Sequence, residues 1–178
     1  MVGLALGTLN HHQVAYFIDS GLSLERASFF FAMGHLFTLP GKVMWGFLSE
    51  RTPVRYCMAG NDIARAISLL LLLMIATGEA RLWGYALFTG LGQGVAFLNA
   101  KIWADYYGRA FVGSIRGILT PIQVVSGLGG PLLAAVIYDR SQSYTLSFTI
   151  CTVALVVATL AILLARPPAS KPAAVAIP

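Results

Sequence analysis

Residues 144–165 carry no charged side chain, and neither do residues 66–78. Uncharged apolar runs of this kind are too long for an ordinary soluble core helix. About 20 apolar residues in a helix match the roughly 30 Å hydrocarbon layer of a bilayer. Only seven of the 178 residues are Asp or Glu. Hydrophobic residues make up 57% and charged residues 11%, against roughly 25% charged in soluble domains. Mean hydropathy is +0.76. The composition predicts an integral membrane protein.

The net charge of +5 does not point to nucleic acid. The basic residues are scattered between apolar runs and form no patch or stripe. Cys57 and Cys151 fall in different spans, roughly 20 Å apart in depth at 1.5 Å per residue, which is beyond disulfide reach. Both read as packing residues. The start of the chain shows no signal-peptide cleavage pattern.

Turn residues and charge divide the chain into six apolar segments: about 1–18, 27–48, 56–77, 82–104, 115–138 and 144–165. The connectors between them are short, so neighbouring spans are antiparallel. Arg51, Arg55, Arg109, Arg116, Arg166 and Lys171 fall on one side. Arg26, Arg81 and Arg140 fall on the other, with Asp19, Glu25, Glu79 and Asp139. The richer side is expected to be cytoplasmic, with both termini there. Trp83, Tyr85, Tyr138 and Tyr144 read as an outer aromatic edge, and Tyr56, Trp103, Tyr106 and Tyr107 as an inner one. Residues 166–178, rich in proline, are expected to be a disordered cytoplasmic tail.

The spans differ in polarity. The sixth span and the upper third span read as lipid-facing. The second, fourth and fifth carry polar groups at depth: His35, Thr38 and Lys42; Gln93, Asn99 and Lys101; Gln123. A polar group facing lipid is costly, so these spans face protein or water. His35, Thr38 and Lys42 share one helix face by their i, i+3, i+7 spacing. Glycines in the fourth and fifth spans, with Pro131, suit close helix packing and bending. The Gly-Leu-Gly-Gln-Gly run at 90–94 follows no strand, so it is read as packing and not as a nucleotide loop.

Four motifs now point to a family. WGFLSERTPVR, 45–55, resembles the short Gly-x-Leu-Ala-Asp-Arg-x-Gly-Arg cytoplasmic motif of the major facilitator superfamily. GPLLAAVIYDRSQSY, 130–144, looks like that family's eleventh helix and its outer loop. HHQVAYFIDSGLS, 11–23, and ADYYGRAFVGSIRG, 104–117, resemble its monocarboxylate and oxalate–formate branch. The resemblance covers nearly the whole chain up to Ala165 and implies the C-terminal half of such a transporter, helices seven to twelve. The implied fold is an all-α membrane bundle of six transmembrane helices over 1–165, built as two inverted three-helix repeats, about 1–77 and 82–165. Helices seven, eight, ten and eleven would line the path, and nine and twelve would face outward. The chain departs from the family in lacking the first six helices and in its short first span, which begins abruptly as a truncated seventh helix would. The motif's Asp is Glu50, and its second Gly is Pro53 or Val54.

The resemblance also assigns roles. Lys42, in Gly41-Lys42-Val43-Met44-Trp45-Gly46, stands where the family places a basic residue, roughly 10 Å deep. It would bind the carboxylate of a small organic anion, as a cation in a cavity with few counter-charges does. The alternative is a lysine that snorkels to the surface. Thr38 stands where mammalian-type members carry an Asp. His12 and His35 are candidates to accept the co-transported proton, or to bond between helices. Gln93 and Gln123 would bind substrate or bridge helices, and His11 reads as structural. Glu50, Arg51 and Arg116 would form a gate, the acid docking on the N-terminus of the eleventh helix, or else are solvated loop charges. Asp62 and Arg65, at i, i+3, are expected to pair with each other.

The function so implied is secondary active transport of a monocarboxylate-like anion, proton-coupled, by alternating access as part of a twelve-helix carrier. The implied partners are the anion, a proton, the bilayer, and the N-terminal half or a second copy. No cofactor or metal is expected. The competing expectation is a truncated, non-transporting fragment or a self-associating structural subunit. A rhomboid-like protease would need a Gly-x-Ser-Gly nucleophile. The nearest match, Asp19-Ser20-Gly21, falls in a connector, so an enzyme is not expected.

Overall fold

A computed structural model describes residues 2–74 and 78–165. Residues 75–77, at the end of the expected third span, and the tail with Arg166 and Lys171 lie outside the described residues. The described chain forms eight α-helices. These are α1 (Val2–Asp19), α2 (Leu24–Leu36), α3 (Thr38–Arg51), α4 (Val54–Leu73), α5 (Glu79–Leu91), α6 (Val95–Tyr107), α7 (Val112–Ser141) and α8 (Thr145–Leu164). A short 3-10 turn, Arg109–Phe111, leads into α7.

Local chemistry sets the ends. Ser23 caps α2, its hydroxyl accepting from the Arg26 N–H, with Pro53 just ahead of α4 where its missing donor costs nothing. Gly108 takes φ +86° between α6 and the 3-10 turn, a left-handed conformation that glycine adopts without strain. Among the described residues, three helices are long and apolar enough to cross a membrane: 54–73, the 109–141 stretch and 145–164.

The expected continuous spans 27–48 and 82–104 are each two helices. Phe37 separates α2 from α3, and Gly92–Gly94 separate α5 from α6. The two breaks meet. A Cβ on Gly90 would strike Phe37, and one on Gly41 would lie 2.8 Å from the Gly90 carbonyl oxygen. Glycine at both positions lets the broken helices cross backbone against backbone.

A second correction concerns the third span. Its leucine run reads as lipid-facing, and Leu70 and Met74 are indeed exposed, yet α4 is the most enclosed helix, with 12 of its 20 residues buried. Leu69 and Leu72 face a core of Leu9, Phe17, Phe30, Tyr85, Phe148 and Leu155, drawn from α1, α2, α5 and α8. A smaller cluster of Trp45, Val54, Cys57, Met58 and Leu98 lies toward the other end of α4. A run of leucines has no polar face to betray its surroundings, so its sequence fits protein and lipid equally. Tyr85 is likewise no edge residue. It is fully enclosed, its hydroxyl donating to Gln13 Oε1 and its ring edge-on to Phe17.

On α8 one stripe is buried and the other exposed. Ser147, Cys151, Leu155 and Thr159 face inward at helical spacing, while Val153, Val156, Val157 and Leu160 face outward. Thr149, Thr152 and Thr159 each donate to the carbonyl four residues back, so their hydroxyls need no outside partner. By contrast α7, with Pro121 and Pro131 inside it, buries only Gly130 and Ala134 among its described residues. Its N-terminal half, 112–126, has no buried residue.

Candidate functional site

Lys42 stands on α3 with Thr38 one turn before it, and His35 lies about two turns before it on α2, across the break. Lys42 and His35 are exposed and Thr38 is half-buried. Their neighbours Leu39, Val43 and Phe47 are exposed as well, so this face of the broken helix is open. The His35 ring lies edge-on to Phe31 at 4.6 Å. Thr38 Oγ1 donates weakly to the Gly34 carbonyl at 3.4 Å. No ion pair holds Lys42 among the described residues.

His12 sits elsewhere. Its Nε2 hydrogen-bonds the Pro131 carbonyl at 3.2 Å, linking α1 to α7, and its ring lies 5.1 Å from that of Tyr144. His11 hydrogen-bonds through Nδ1 to the Gly7 carbonyl one turn back. Just beside it, α1 and α7 touch. A Cβ on Gly7 would collide with the Gly127 carbonyl and lie 2.9 Å from Pro131 Cδ.

Gln123 is exposed on α7 and lines two adjoining hollows. One, of about 750 Å³, lies between α1, α6 and α7 and includes His11 and Asn99. The other, of about 230 Å³, includes Asn99, Trp103, Thr120 and Arg116. Gln93 sits in the α5–α6 break, half-buried. Glu50 is exposed at the end of α3. Arg51 lies over the Phe47 ring at 3.8 Å, and no ion pair joins Glu50 to Arg116 among the described residues. Lys101 is tied to Asp105 at 3.8 Å along α6.

The breaks are held by groups the sequence reading passed over. Trp45 Nε1 donates to the Leu91 carbonyl at 2.7 Å. Arg65 Nη2 donates to the Gly92 carbonyl. Asn61 Oδ1 accepts from the Gly94 N–H at 2.8 Å. A broken helix leaves backbone groups that lipid cannot satisfy, and these three side chains from α3 and α4 satisfy them. Asp62 and Arg65, both 1% exposed, do not form the expected ion pair. Asp62 accepts from Asn61 at 3.3 Å while Arg65 turns to the break. Ser68 and Thr89 add a hydroxyl pair at 2.6 Å between α4 and α5. The signal for this network was present: polar residues at 61, 62, 65 and 68 form one stripe on α4.

Among the described residues no nucleophile–base pair lies within reach of a cavity. The arrangement has an open face with one unpaired lysine, a polar-lined hollow between three helices, and broken helices whose backbone is internally satisfied. No family model matches the chain. It is 28% identical to Monocarboxylate transporter 7 of Homo sapiens over 162 residues, 85% of this chain and 31% of that protein. It is also 28% identical to the Sialic acid transporter NanX of Escherichia coli (strain K12) over 153 residues, 84% of this chain and 37% of that one. The chain thus spans about a third of the length of the curated relatives it matches. Both relatives are transporters, and the likeness to them runs over most of this chain.

Proposed function

We propose that this chain is the C-terminal half-bundle of a secondary carrier of the major facilitator superfamily and moves a small organic anion together with a proton. The single observation that carries this reading is Lys42: a cation with no counter-charge on the open face of a broken helix, within an apolar chain similar to two transporters. A second bundle closing that face would leave Lys42 in a cavity of low dielectric, where it attracts an anion strongly. A half-enclosed anion favours whichever state closes around it, which is the basis of alternating access. The carboxylate named in one relative suits a lysine, as does the acid named in the other.

In this reading Lys42 takes the carboxylate, with Thr38 beside it, and His35 on the same open face takes the proton. His12, bonded to Pro131, and Gln93 and Gln123 complete the polar lining. Glu50, Arg51 and Arg116 act at the cytoplasmic mouth, forming their contacts in one state of the cycle only. The fold supports an all-α bundle of six spans, counting α2 with α3 and α5 with α6 as single broken spans. Both termini then lie on the cytoplasmic side, and the exposed faces of α3 and α7 meet the N-terminal half.

The test is uptake of labelled anion into vesicles by the full carrier. Lys42→Ala should abolish the saturable component. Undiminished uptake in that variant removes Lys42 from the mechanism. The competing reading is a non-transporting fragment or self-associating subunit. Immunoblotting of native membranes separates them: a band well above 19.0 kDa supports the carrier, and one at that mass supports the fragment.

A further inference from the structure

A separate hollow, of about 160 Å³, lies between α1, α7 and α8. Its floor is buried: Thr8, Ala134, Ser147 and Cys151. Its lips are Leu133 of α7, 52% exposed, and Ile150 of α8, 46% exposed. Val153 and Val157, in line with Ile150 at helical spacing, are exposed too. The hollow therefore opens on the outward, apolar face of α8. One group in it lacks a partner. Ser147 is 3% exposed, and its Oγ makes no hydrogen bond among the described residues. Thr149, Thr152 and Thr159 on the same helix each donate to the carbonyl four residues back. For Ser147 that residue is Ser143, in the connector ahead of α8, and its carbonyl takes the Ser141 hydroxyl. Ser147 is thus a buried donor that its own helix does not serve. Leaving such a donor unmade is costly, so the hollow selects an occupant that brings an acceptor.

We infer that this hollow seats one acyl chain of a phospholipid, whose ester carbonyl accepts a hydrogen bond from Ser147 Oγ. Depth, size and direction choose this occupant. The 20 residues of α8 are about as long as the hydrocarbon layer is thick. Its first turn then lies at the boundary with the headgroups, where the ester groups of phospholipids sit, and Ser147 is its third residue. From there the hollow runs inward to Gly130 of α7, which lies 11 residues, roughly 16 Å, before the end of that helix. A lipid chain runs the same way. A hollow of about 150 Å³ with aliphatic walls takes a benzene-sized guest, so this one takes a stretch of single chain and no fused ring system. Its mouth faces lipid, so a water-borne ligand has no direct way in. The inference needs only that the chain crosses a bilayer and is independent of what the carrier moves.

The experiment is photolabelling of the full protein in mild detergent with a phosphatidylcholine that carries a diazirine midway along one acyl chain. Adducts are mapped by mass spectrometry. Those on Leu133, Ala134, Ile150 and Cys151 should saturate as the label rises, while those on the exposed Val156 and Leu160 should rise without limit. Unlabelled diester phosphatidylcholine should displace the saturable adducts about three- to ten-fold better than a diether lipid with the same chains and headgroup, the gain of one hydrogen bond. Ser147→Ala should remove that difference. Ile150→Trp, a change at the exposed lip, should cover the mouth and abolish the saturable adducts while leaving those on Leu160. Each variant is compared by circular dichroism and gel filtration to show it is folded. Adducts in the hollow that never saturate would mean annular lipid only and overturn the inference. Ester and ether lipids competing equally against the unaltered protein do so too, as does an ester preference that survives Ser147→Ala.

Discussion

Arg65 of α4 donates its guanidinium to the carbonyl of Gly92, in the gap between α5 and α6. The two residues are 27 apart in sequence, and a Cβ on Gly92 would lie 3.0 Å from the Arg65 Cβ, so only glycine lets the two helices come this close. With Trp45 and Asn61 the arginine closes the hydrogen bonding of the break. The charge is buried at a place where lipid or core could not hold it alone. Asp62 three residues earlier balances it through space without touching it.

Removing Arg65 should therefore cost more than any single contact it makes. Arg65→Met leaves Asp62 uncompensated in the core, a loss of about 3–5 kcal/mol. The double variant Arg65→Met, Asp62→Leu should recover much of this. Thermal unfolding in detergent measures both. A double variant as unstable as the single would show that the backbone bond to Gly92, and not the charge balance, is what matters.

Gly7 and Gly127 look alike in sequence and differ in space. Gly7→Ala pushes a methyl into the Gly127 carbonyl and Pro131 and should cost about 1–3 kcal/mol by overpacking. Gly127→Ala meets nothing within 4 Å and should be neutral or slightly stabilising, because alanine favours a helix. Denaturation midpoints in mixed micelles compare them. Equal effects would contradict the close approach of α1 and α7.

The histidines should separate by role. His12→Phe loses the bond to Pro131, costing about 1 kcal/mol of stability, while proton-driven uptake persists. His35→Gln, on the open face, should leave stability nearly unchanged and remove the stimulation of uptake by an inward proton gradient. Uptake at opposed pH gradients reads this directly, and the reverse pattern would exchange their roles.

Much of the architecture was legible in the chain. The helical class and the connector positions follow from uncharged runs punctuated by Arg, Asp, Gly and Pro. The sixth span reads as lipid-facing throughout, so the inner stripe of Ser147, Cys151, Leu155 and Thr159 was not legible. What escaped was anything decided by partners. Phe37 itself is no breaker, but Pro40 cannot bond the Leu36 carbonyl, so the signal for the end of α2 stood three residues along, beside the packing of Phe37 on Gly90. Asp62 and Arg65 have ideal spacing for a pair, yet the free carbonyl of Gly92 takes the arginine.

The sequence alone determined that this protein is a bundle of apolar helices, because backbone groups in lipid must be satisfied within a helix and long uncharged runs have no other stable form. Only the tertiary structure decided which leucine-rich helix is enclosed, which groups satisfy the broken backbone, and that Arg116, Asn99 and Gln123 line one hollow. Those choices depend on groups brought together from α3, α4, α5, α6 and α7, and no local pattern of spacing records a partner so far along the chain.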